Sequence, residues 1–161
     1  MIKATVKDPE LGYVGRIESV DVTPITDLLE HNYIPVISTV GCDSDGNVYN
    51  INADTAAARI AGAMRAERLF TMTDIEGILR DKDDHTSIIP CIDIKEAEEL
   101  FESGVISGGM IPKVECCIEA IRHGVKKVTI LDGRVPHALL IEMLTDEGAG
   151  TMVVRDKNEN N

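Results

Sequence analysis

The 161 residues carry 28 acidic and 16 basic side chains, which gives a formal net charge of −12 at pH 7. Nucleic acids and anionic membrane surfaces bind through Lys and Arg, so this balance argues against both kinds of partner. A composition of 43% hydrophobic and 27% charged residues is typical of a soluble globular domain with its own core. The first residues lack the apolar run of a signal peptide, and no stretch approaches the ~20 apolar residues of a membrane span, which predicts a cytoplasmic protein.

Cysteine spacing and turn composition argue against a metal held by protein ligands. None of the cysteines forms a C-x-x-C pair, so we expect reduced thiols that serve packing. The turn at 43–47 has the acidic character of a calcium loop, but Val48 occupies the sixth position, where such a loop requires glycine. The four cysteines are Cys42, Cys91, Cys116 and Cys117.

Periodicity predicts the first elements in chain order. Residues 13–20 predict a strand, and Thr23-Pro24 opens a short helix in which the missing N–H of proline costs nothing. Residues 34–40, IPVISTV, are apolar at most positions, which predicts a strand buried on both faces. Residues 43–47 predict the turn of a hairpin. The remaining elements are predicted as helices over 54–66, 93–102, 112–123 and 136–144, and strands over 68–73, 126–131 and 151–154.

Strands and helices alternate through most of the chain. This order predicts an α/β fold, with one mainly parallel sheet flanked by helices on both faces. We predict a single α/β domain over residues 1–154 and a disordered polar tail over residues 155–161.

Three loops are unusually polar or rich in glycine. They are 49–54 (YNINAD), 73–79 (TDIEGIL) and 107–113 (SGGMIPK). In α/β sheets, ligands bind at loops that lead from the carboxyl ends of strands into helices, so these loops are the candidate binding segments.

The third loop has the features of an anion site. Backbone amides beside Gly108 and Gly109 can approach an anion closely, at the start of a predicted helix. Lys113 lies in the first helical turn, where the helix dipole disfavours a cation, and an anionic ligand would explain it. From these residues alone, a flexible turn with a solvated Lys113, and Asp54 as a simple helix cap, stay open as alternatives. The P-loop sequence G-x-x-x-x-G-K-[ST] is absent.

With these motifs the chain resembles the C-terminal half of the acetylglutamate kinases, which belong to the amino acid kinase family. The similarity runs from about Leu11 to Val154 and is most specific in the N-I-N-A-D and G-G-M-I-P-K segments. It implies a phosphotransferase that uses ATP to phosphorylate the side-chain carboxylate of N-acetyl-L-glutamate in arginine biosynthesis. It also implies Mg²⁺, which would bridge the ATP phosphates.

The resemblance assigns roles to particular residues. Lys113 and Asp54 are implied to be catalytic: Lys113 would offset the charge of the transferring phosphoryl group, and Asp54 would hold lysine ammonium groups in position. Asn50 is implied to bind the acylated amino acid near its reacting carboxylate. The residues implied to line the nucleotide are Asp74, Ile75, Glu76, Gly77, Ile78, Leu79, Val105, Ile106, Ser107, Gly108, Gly109 and Met110.

The N-terminal half of the chain in this family has no counterpart in these 161 residues. That half carries a glycine-rich phosphate loop, a second catalytic lysine and an arginine for the α-carboxylate of the substrate. We therefore expect the chain as given to be truncated and inactive alone, and to form a homo-oligomer or to associate with the missing N-terminal lobe. A kinase for another acylated amino acid, such as acetylaminoadipate, and a non-catalytic nucleotide- or effector-binding module stay open.

Overall fold

The computed structural model describes residues 1–146 and 148–157, which contain eight strands and five α-helices. The strands are β1 (Ile2–Val6), β2 (Gly15–Val20), β3 (Val40–Cys42), β4 (Val48–Asn50), β5 (Arg68–Thr73), β6 (Cys91–Asp93), β7 (Lys127–Asp132) and β8 (Gly150–Val154). The helices are α1 (Thr23–Glu30), α2 (Ala53–Met64), α3 (Ile94–Glu102), α4 (Met110–Arg122) and α5 (Ala138–Leu144).

The strands form two four-stranded sheets, ordered β2-β1-β3-β4 and β5-β7-β8-β6. In the first sheet β1 is antiparallel to β2 and parallel to β3, while β3 and β4 form an antiparallel hairpin. In the second sheet β5 is parallel to β7, β6 is parallel to β8, and β7 is antiparallel to β8. The predicted α/β class with flanking helices is confirmed, but in place of one mainly parallel sheet the strands form two mixed sheets. The short turn between β3 and β4 accounts for one antiparallel pair, because a connection of that length can join only antiparallel neighbours.

The larger core lies between the second sheet and the helices α2, α3 and α4. The middle strand β7 is almost wholly buried, as expected of a strand covered on both faces. Val114, Cys117 and Ile121 point from α4 into this core, and burial raises the pKa of the Cys117 thiol to about 12. Cys117 is therefore a packing residue, as predicted from its position in the helix.

A smaller core joins the first sheet to α2. Its buried members are Ile2, Ala4, Ile17, Tyr49, Ile51 and Ala56. Helix α2 also contacts β5 of the second sheet, so this one helix connects both sheets. The small side chains of α2 allow that close approach on two sides.

Local signals determine where several helices begin and end. A capping box opens α3: Asp93 accepts a hydrogen bond from the Glu96 amide, and the Glu96 side chain accepts one from the Asp93 amide. Helix α4 ends at Arg122, and His123 and then Gly124, which has φ +109, follow it. None of the helices in the described part of the chain has the length and apolar character needed to cross a membrane.

The prediction of a buried strand over residues 34–40 is wrong. Within this segment, β3 begins only at Val40, and residues 34–38 have no regular secondary structure. Ile34 is 90% exposed and Val36 is 95% exposed. An apolar run becomes a buried strand only where neighbouring strands pair with it and layers cover both faces. Within the described residues, 34–38 pair with no strand, and only one face of the segment is partly buried.

The C-terminal residues contact the body of the molecule as far as the structure describes them. Arg155, predicted to open a disordered tail, donates a hydrogen bond to the Ile121 carbonyl at 3.0 Å. Lys157 donates one to the Glu96 carboxylate at 2.7 Å. The rest of the predicted tail, 158–161, lies outside the described residues.

Two threonines provide a matched test of the packing. Thr151 is fully buried; its Oγ1 accepts a hydrogen bond from the Ile78 amide at 2.8 Å and donates one to the Ile89 carbonyl at 2.7 Å. The buried Oγ1 of Thr5 has no partner among the described residues. We expect Thr151→Val to lower the free energy of unfolding by about 1–3 kcal/mol, because it leaves the buried Ile78 amide unpaired. Thr5→Val should be neutral or stabilising.

Urea denaturation of the two purified variants measures the difference. Both substitutions exchange a hydroxyl for a methyl group of similar shape, so packing changes little in either variant. Equal losses of stability in the two variants would contradict the assigned hydrogen bonds.

Candidate active site

The first turns of α2 and α4 lie side by side and join Asp54 to Lys113. The Lys113 Nζ lies 3.3 Å from Asp54 Oδ2, and the two side chains are 30% and 31% exposed. An ion pair with this exposure contributes at most about 1 kcal/mol to stability. Its importance is positional, because it holds an ammonium group beside two helix N-termini, where partial positive charge already favours an anion.

Asn52, and not Asp54, caps α2. The Asn52 side-chain oxygen accepts a hydrogen bond from the Thr55 amide at 3.0 Å. The Asp54 carboxylate is therefore free of the capping role and faces Lys113. The simpler interpretation of Asp54 as a helix cap is wrong, because the adjacent asparagine already satisfies the helix terminus.

A cleft of about 280 Å³ lies at the carboxyl end of β5, and it is lined by nine of the twelve residues predicted to contact a nucleotide. The walls include apolar side chains from the loop after β5 and from the start of α4. The predicted residues in the lining are Asp74, Ile75, Glu76, Gly77, Ile78, Leu79, Val105, Ser107 and Met110.

Three of the predicted nucleotide residues do not line this cleft. Ile106 is buried in the larger core, so it supports the loop from below. Gly108 and Gly109 precede α4, and no side chain caps that helix. Gly108 has φ +55, a conformation that favours glycine, and a Cβ on either glycine would meet open space. The Met110 and Ile111 amides donate to the Ser107 and Gly108 carbonyls, and Pro112 has no N–H, so the amides that stay open to an anion within the described residues are those of Gly108 and Gly109.

The loop that forms the cleft floor is fixed by one close contact with β8. Gly77 has φ +144, and a Cβ there would lie 2.6 Å from Thr151 Oγ1. The next residue, Ile78, donates its amide to that same hydroxyl. Only glycine permits this approach, so the loop is held against the sheet by residues more than seventy positions apart.

Sequence reasoning did not assign three residues of the cleft: Lys82, His85 and Arg134. The Arg134 guanidinium makes two hydrogen bonds, of 2.9 and 2.8 Å, to Asp132, whose side chain is 8% exposed. These bonds hold the pKa of the Asp132 carboxyl below its usual value, so the pair stays charged. The available signal was the segment Asp132-Gly133-Arg134 directly after β7, where a strand end meets the same edge of the sheet.

A larger cleft of about 710 Å³ beside β6 and α3 contains none of the predicted site residues. Its lining includes Cys91, Glu96 and Lys157. Glu96 and Lys157 pair with each other, and Glu96 also completes the cap of α3. Because these charged groups already have structural partners, size alone does not make this cleft the candidate site.

Asn50 lies at the end of the β3–β4 hairpin, on the exposed face of the first sheet. The Asp43 carboxylate shapes the turn of this hairpin: it accepts hydrogen bonds from the Asp45 amide, the Asn47 amide and side chain, and the Tyr49 hydroxyl. The backbone amide of Asn50 donates to the backbone carbonyl of Tyr13 at 2.8 Å. Among the described residues, the Asn50 side chain makes no hydrogen bond and is not joined to the Asp54–Lys113 pair.

No group of three or more His, Cys, Asp or Glu side chains within the described residues is arranged to hold a metal ion. In the acidic turn, the oxygens of Asp43 are occupied by donors of the turn itself.

Residues 1–132 match the model of the amino acid kinase family, and the chain belongs to that family. It is 55% identical over 149 residues to the acetylglutamate kinase of Brachyspira hyodysenteriae, covering 92% of this chain and 52% of that protein. It is 53% identical over 155 residues to the acetylglutamate kinase of Thermosynechococcus vestitus, covering 96% and 52%. Among solved structures, smu.665 of Streptococcus mutans superposes with a TM-score of 0.78 at 30% identity, covering 96% of this chain and 57% of that one.

The chain spans about half the length of the curated relatives it matches. These similarities show the family and the fold of the chain, and the activity of the whole relatives is treated as a proposal below.

The turn of the hairpin generates a pH-dependent prediction. Its hydrogen bonds from Asn47 and Tyr49 lower the pKa of Asp43 from 3.8 to about 2. A depressed carboxyl pKa contributes stability that is fully present above about pH 4 and is lost as the pH falls toward 2. We expect Asp43→Ala to lower the urea midpoint at pH 7, and the difference from the unmodified chain to shrink below pH 4.

Asp45→Ala is the matched control, because the Asp45 carboxylate makes no hydrogen bond among the described residues. Urea midpoints measured from pH 7 to pH 3 test the prediction. A loss of stability for Asp43→Ala that stays constant over this range, or an equal loss for Asp45→Ala, would contradict it.

Proposed function

We propose that this chain is the nucleotide-binding part of a kinase that transfers the γ-phosphoryl group of ATP to the side-chain carboxylate of N-acetyl-L-glutamate, in arginine biosynthesis. The observation that supports it most directly is the Lys113–Asp54 pair at two helix N-termini. Relatives that share about half of the residues bear the name acetylglutamate kinase.

The chemistry of the proposed reaction agrees with these side chains. A carboxylate acceptor is already ionised at neutral pH, so no strong base is required. The difficulty is to align two anions and offset their repulsion in the transition state. In this proposal Lys113 supplies the positive charge, and Asp54 fixes the direction of its ammonium group without covalent chemistry.

The cleft of about 280 Å³ suits the base and ribose of a nucleotide more than the whole molecule. Ile75 and Met110 would contact the apolar faces of the base. The phosphates would then extend toward the uncapped start of α4 and Lys113. Arg134, fixed by Asp132, adds a cation at the cleft.

Mg²⁺ is the metal ion that this chemistry implies. It is commonly held by nucleotide phosphates together with one or two carboxylates. The cleft offers Asp74 and Glu76, each of which keeps one carboxylate oxygen free after its bond to the Thr73 hydroxyl or to His85. The donor set therefore fits a metal ion that arrives with ATP. Bound there, Mg²⁺ would offset phosphate charge.

Asn50 is proposed to bind the acyl amino acid near its reacting carboxylate. Its side-chain amide is exposed and unused within the described residues. An amide can donate to a carboxylate without adding charge, which suits a site that already contains Lys113.

Calorimetric titration of the purified 161-residue chain with MgADP tests the cleft. We expect weak, saturable binding at one site and negligible turnover by the chain alone. Met110→Asp should raise Kd at least about tenfold, because it replaces an apolar wall by a carboxylate that repels phosphate. Met143→Asp is the matched control on α5, outside the cleft. Equal affinities of the two variants would contradict the proposed cleft.

Turnover is tested in a single chain that joins the 161 residues, in the native order, to the unmatched half of the Brachyspira hyodysenteriae relative. Lys113→Ala should lower kcat by about 10²–10³ with little change in KM, since its charge acts mainly in the transition state. Asp54→Asn should act in the same direction. Lys95→Ala, which removes a highly exposed lysine on α3, should leave kcat unchanged.

An assay that couples ADP release to an indicator enzyme measures these rates. An unchanged kcat in Lys113→Ala would remove this lysine from the mechanism. Binding of nucleotide without turnover in the unmodified joined chain would favour a non-catalytic binding module.

A further inference from the structure

Helices α2 and α4 run in the same direction and touch at several points along their length. The Lys113–Asp54 ion pair joins their first turns, and further along α4 the Cys116 Sγ lies 3.7 Å from the Thr55 hydroxyl. The α4 residue follows its α2 partner by 59 positions in the first contact and by 61 in the second. Because this spacing stays nearly constant, the two helices are parallel, and their N-termini lie at the same end.

Arg59, near the middle of α2, continues this seam. Its guanidinium Nη1 lies 3.6 Å from Glu119 Oε1 of α4, and its Nη2 donates a hydrogen bond to the Glu18 carbonyl of β2 at 3.4 Å. The side chains of Arg59 and Glu119 are 26% and 35% exposed, so both lie largely within the seam. A planar guanidinium can donate to two acceptors in different directions, and Arg59 thereby links the first sheet to α4 across α2.

Gly62 allows a close approach of the two helices at the far end of the seam. A Cβ at this position would lie 2.5 Å from the Cβ of His123, the residue that follows α4. Gly62 is buried within a regular helix, where glycine is less favourable than alanine. Contact with α4, and not a turn of the backbone, is therefore the feature that requires glycine here.

Electrostatic repulsion acts against the arrangement of the first turns. Two helix N-termini with partial positive charge lie at one end of the seam, together with the ammonium group of Lys113. These like charges repel each other, and the Asp54 carboxylate offsets only part of the repulsion. An arrangement that suits a phosphate therefore depends on contacts further along the seam to hold the two first turns together.

We infer that Arg59 and Gly62 are positioning residues for the proposed phosphoryl transfer: they hold α4 against α2 in the register that places Lys113 beside Asp54. The inference rests on the proposed function. Neither residue lines the nucleotide cleft. Arg59 fixes the position of α4 along α2, and Gly62 fixes the distance between the two helices. Both act on the transferring phosphoryl group only through the Lys113 ammonium group.

The joined chain described above tests Arg59. We expect Arg59→Gln to lower kcat about fivefold to tenfold with little change in KM, because a displaced ammonium group offsets less charge in the transition state. Arg59→Lys should recover part of the loss, since it restores a charge opposite Glu119 without the second donor to Glu18. Arg122→Gln is the matched control, because it removes an ion pair between α4 and α3, and it should leave kcat unchanged.

A double substitution separates positioning from a general loss of stability. In the Lys113→Ala background, Arg59→Gln should change kcat by less than about twofold, because the group through which Arg59 acts is already absent. An equal fold-loss of kcat in both backgrounds would overturn the inference, and so would an unchanged kcat in Arg59→Gln alone.

Gly62→Ala tests the distance between the helices in the 161-residue chain. With isotope-labelled lysine, the Cε resonance of Lys113 is observed by NMR and assigned by its loss in Lys113→Ala. We expect Gly62→Ala and Arg59→Gln to move this resonance toward those of exposed lysines, because the 3.3 Å contact with Asp54 lengthens. Ala63→Ser, at an exposed position of the same helix, should leave it in place.

An unmoved Lys113 resonance in Arg59→Gln would overturn the inference. This variant adds no atoms to the seam, so the result does not depend on the folding of Gly62→Ala. The NMR readout requires neither nucleotide nor turnover. It can therefore fail while the joined chain is active, and a moved resonance together with an inactive joined chain would count against the proposed function alone.

Discussion

The packing of α2 against α4 is the contact on which the arrangement of the molecule depends. Helix α2 contacts the first sheet through β2 and the second through β5, while α4 covers β7 and β8. Small buried residues of α2, such as Ala58 and Ala61, let the helices approach closely. Because their first turns lie together, Lys113 meets Asp54 although 59 positions separate them. A larger side chain at these alanines would move the two helix termini apart, and with them the proposed phosphate site.

The proposed site concentrates positive charge within an acidic protein. The chain has a net charge of −12, yet Arg134 lines the cleft, and Lys113 lies in the first turn of α4, whose first residue, Met110, lines it too. Asp132 keeps the Arg134 guanidinium in place, and Asp54 does the same for the Lys113 ammonium group. Carboxylates in both pairs therefore orient cations, and net charge alone says little about an anion site.

The exposed segment 34–38 and Asn50, the residue proposed to bind the substrate, lie on the same side of the first sheet. Both lie on or beside the uncovered face of the first sheet, where Val40 stands opposite Asn50. The nucleotide cleft, in contrast, is built from loops of the second sheet, which has a nearly complete core. This division explains why the nucleotide side of the site has clear walls, while the Asn50 side chain has no polar partner in the described residues.

The sequence by itself determined those helices and strands that depend on residues close together in the chain. The α3 capping box, the glycine after α4 and the apolar strand β7 depend on neighbouring residues, and the motifs around Asp54 and Lys113 identified the candidate loops. Only the tertiary structure decided the division into two sheets, the bond from Ile78 to Thr151 and the place of Arg134 in the cleft. These features join distant positions, and no local propensity encodes them. The same reason accounts for the exposed segment 34–38, since an apolar run predicts burial but not the neighbour that supplies it.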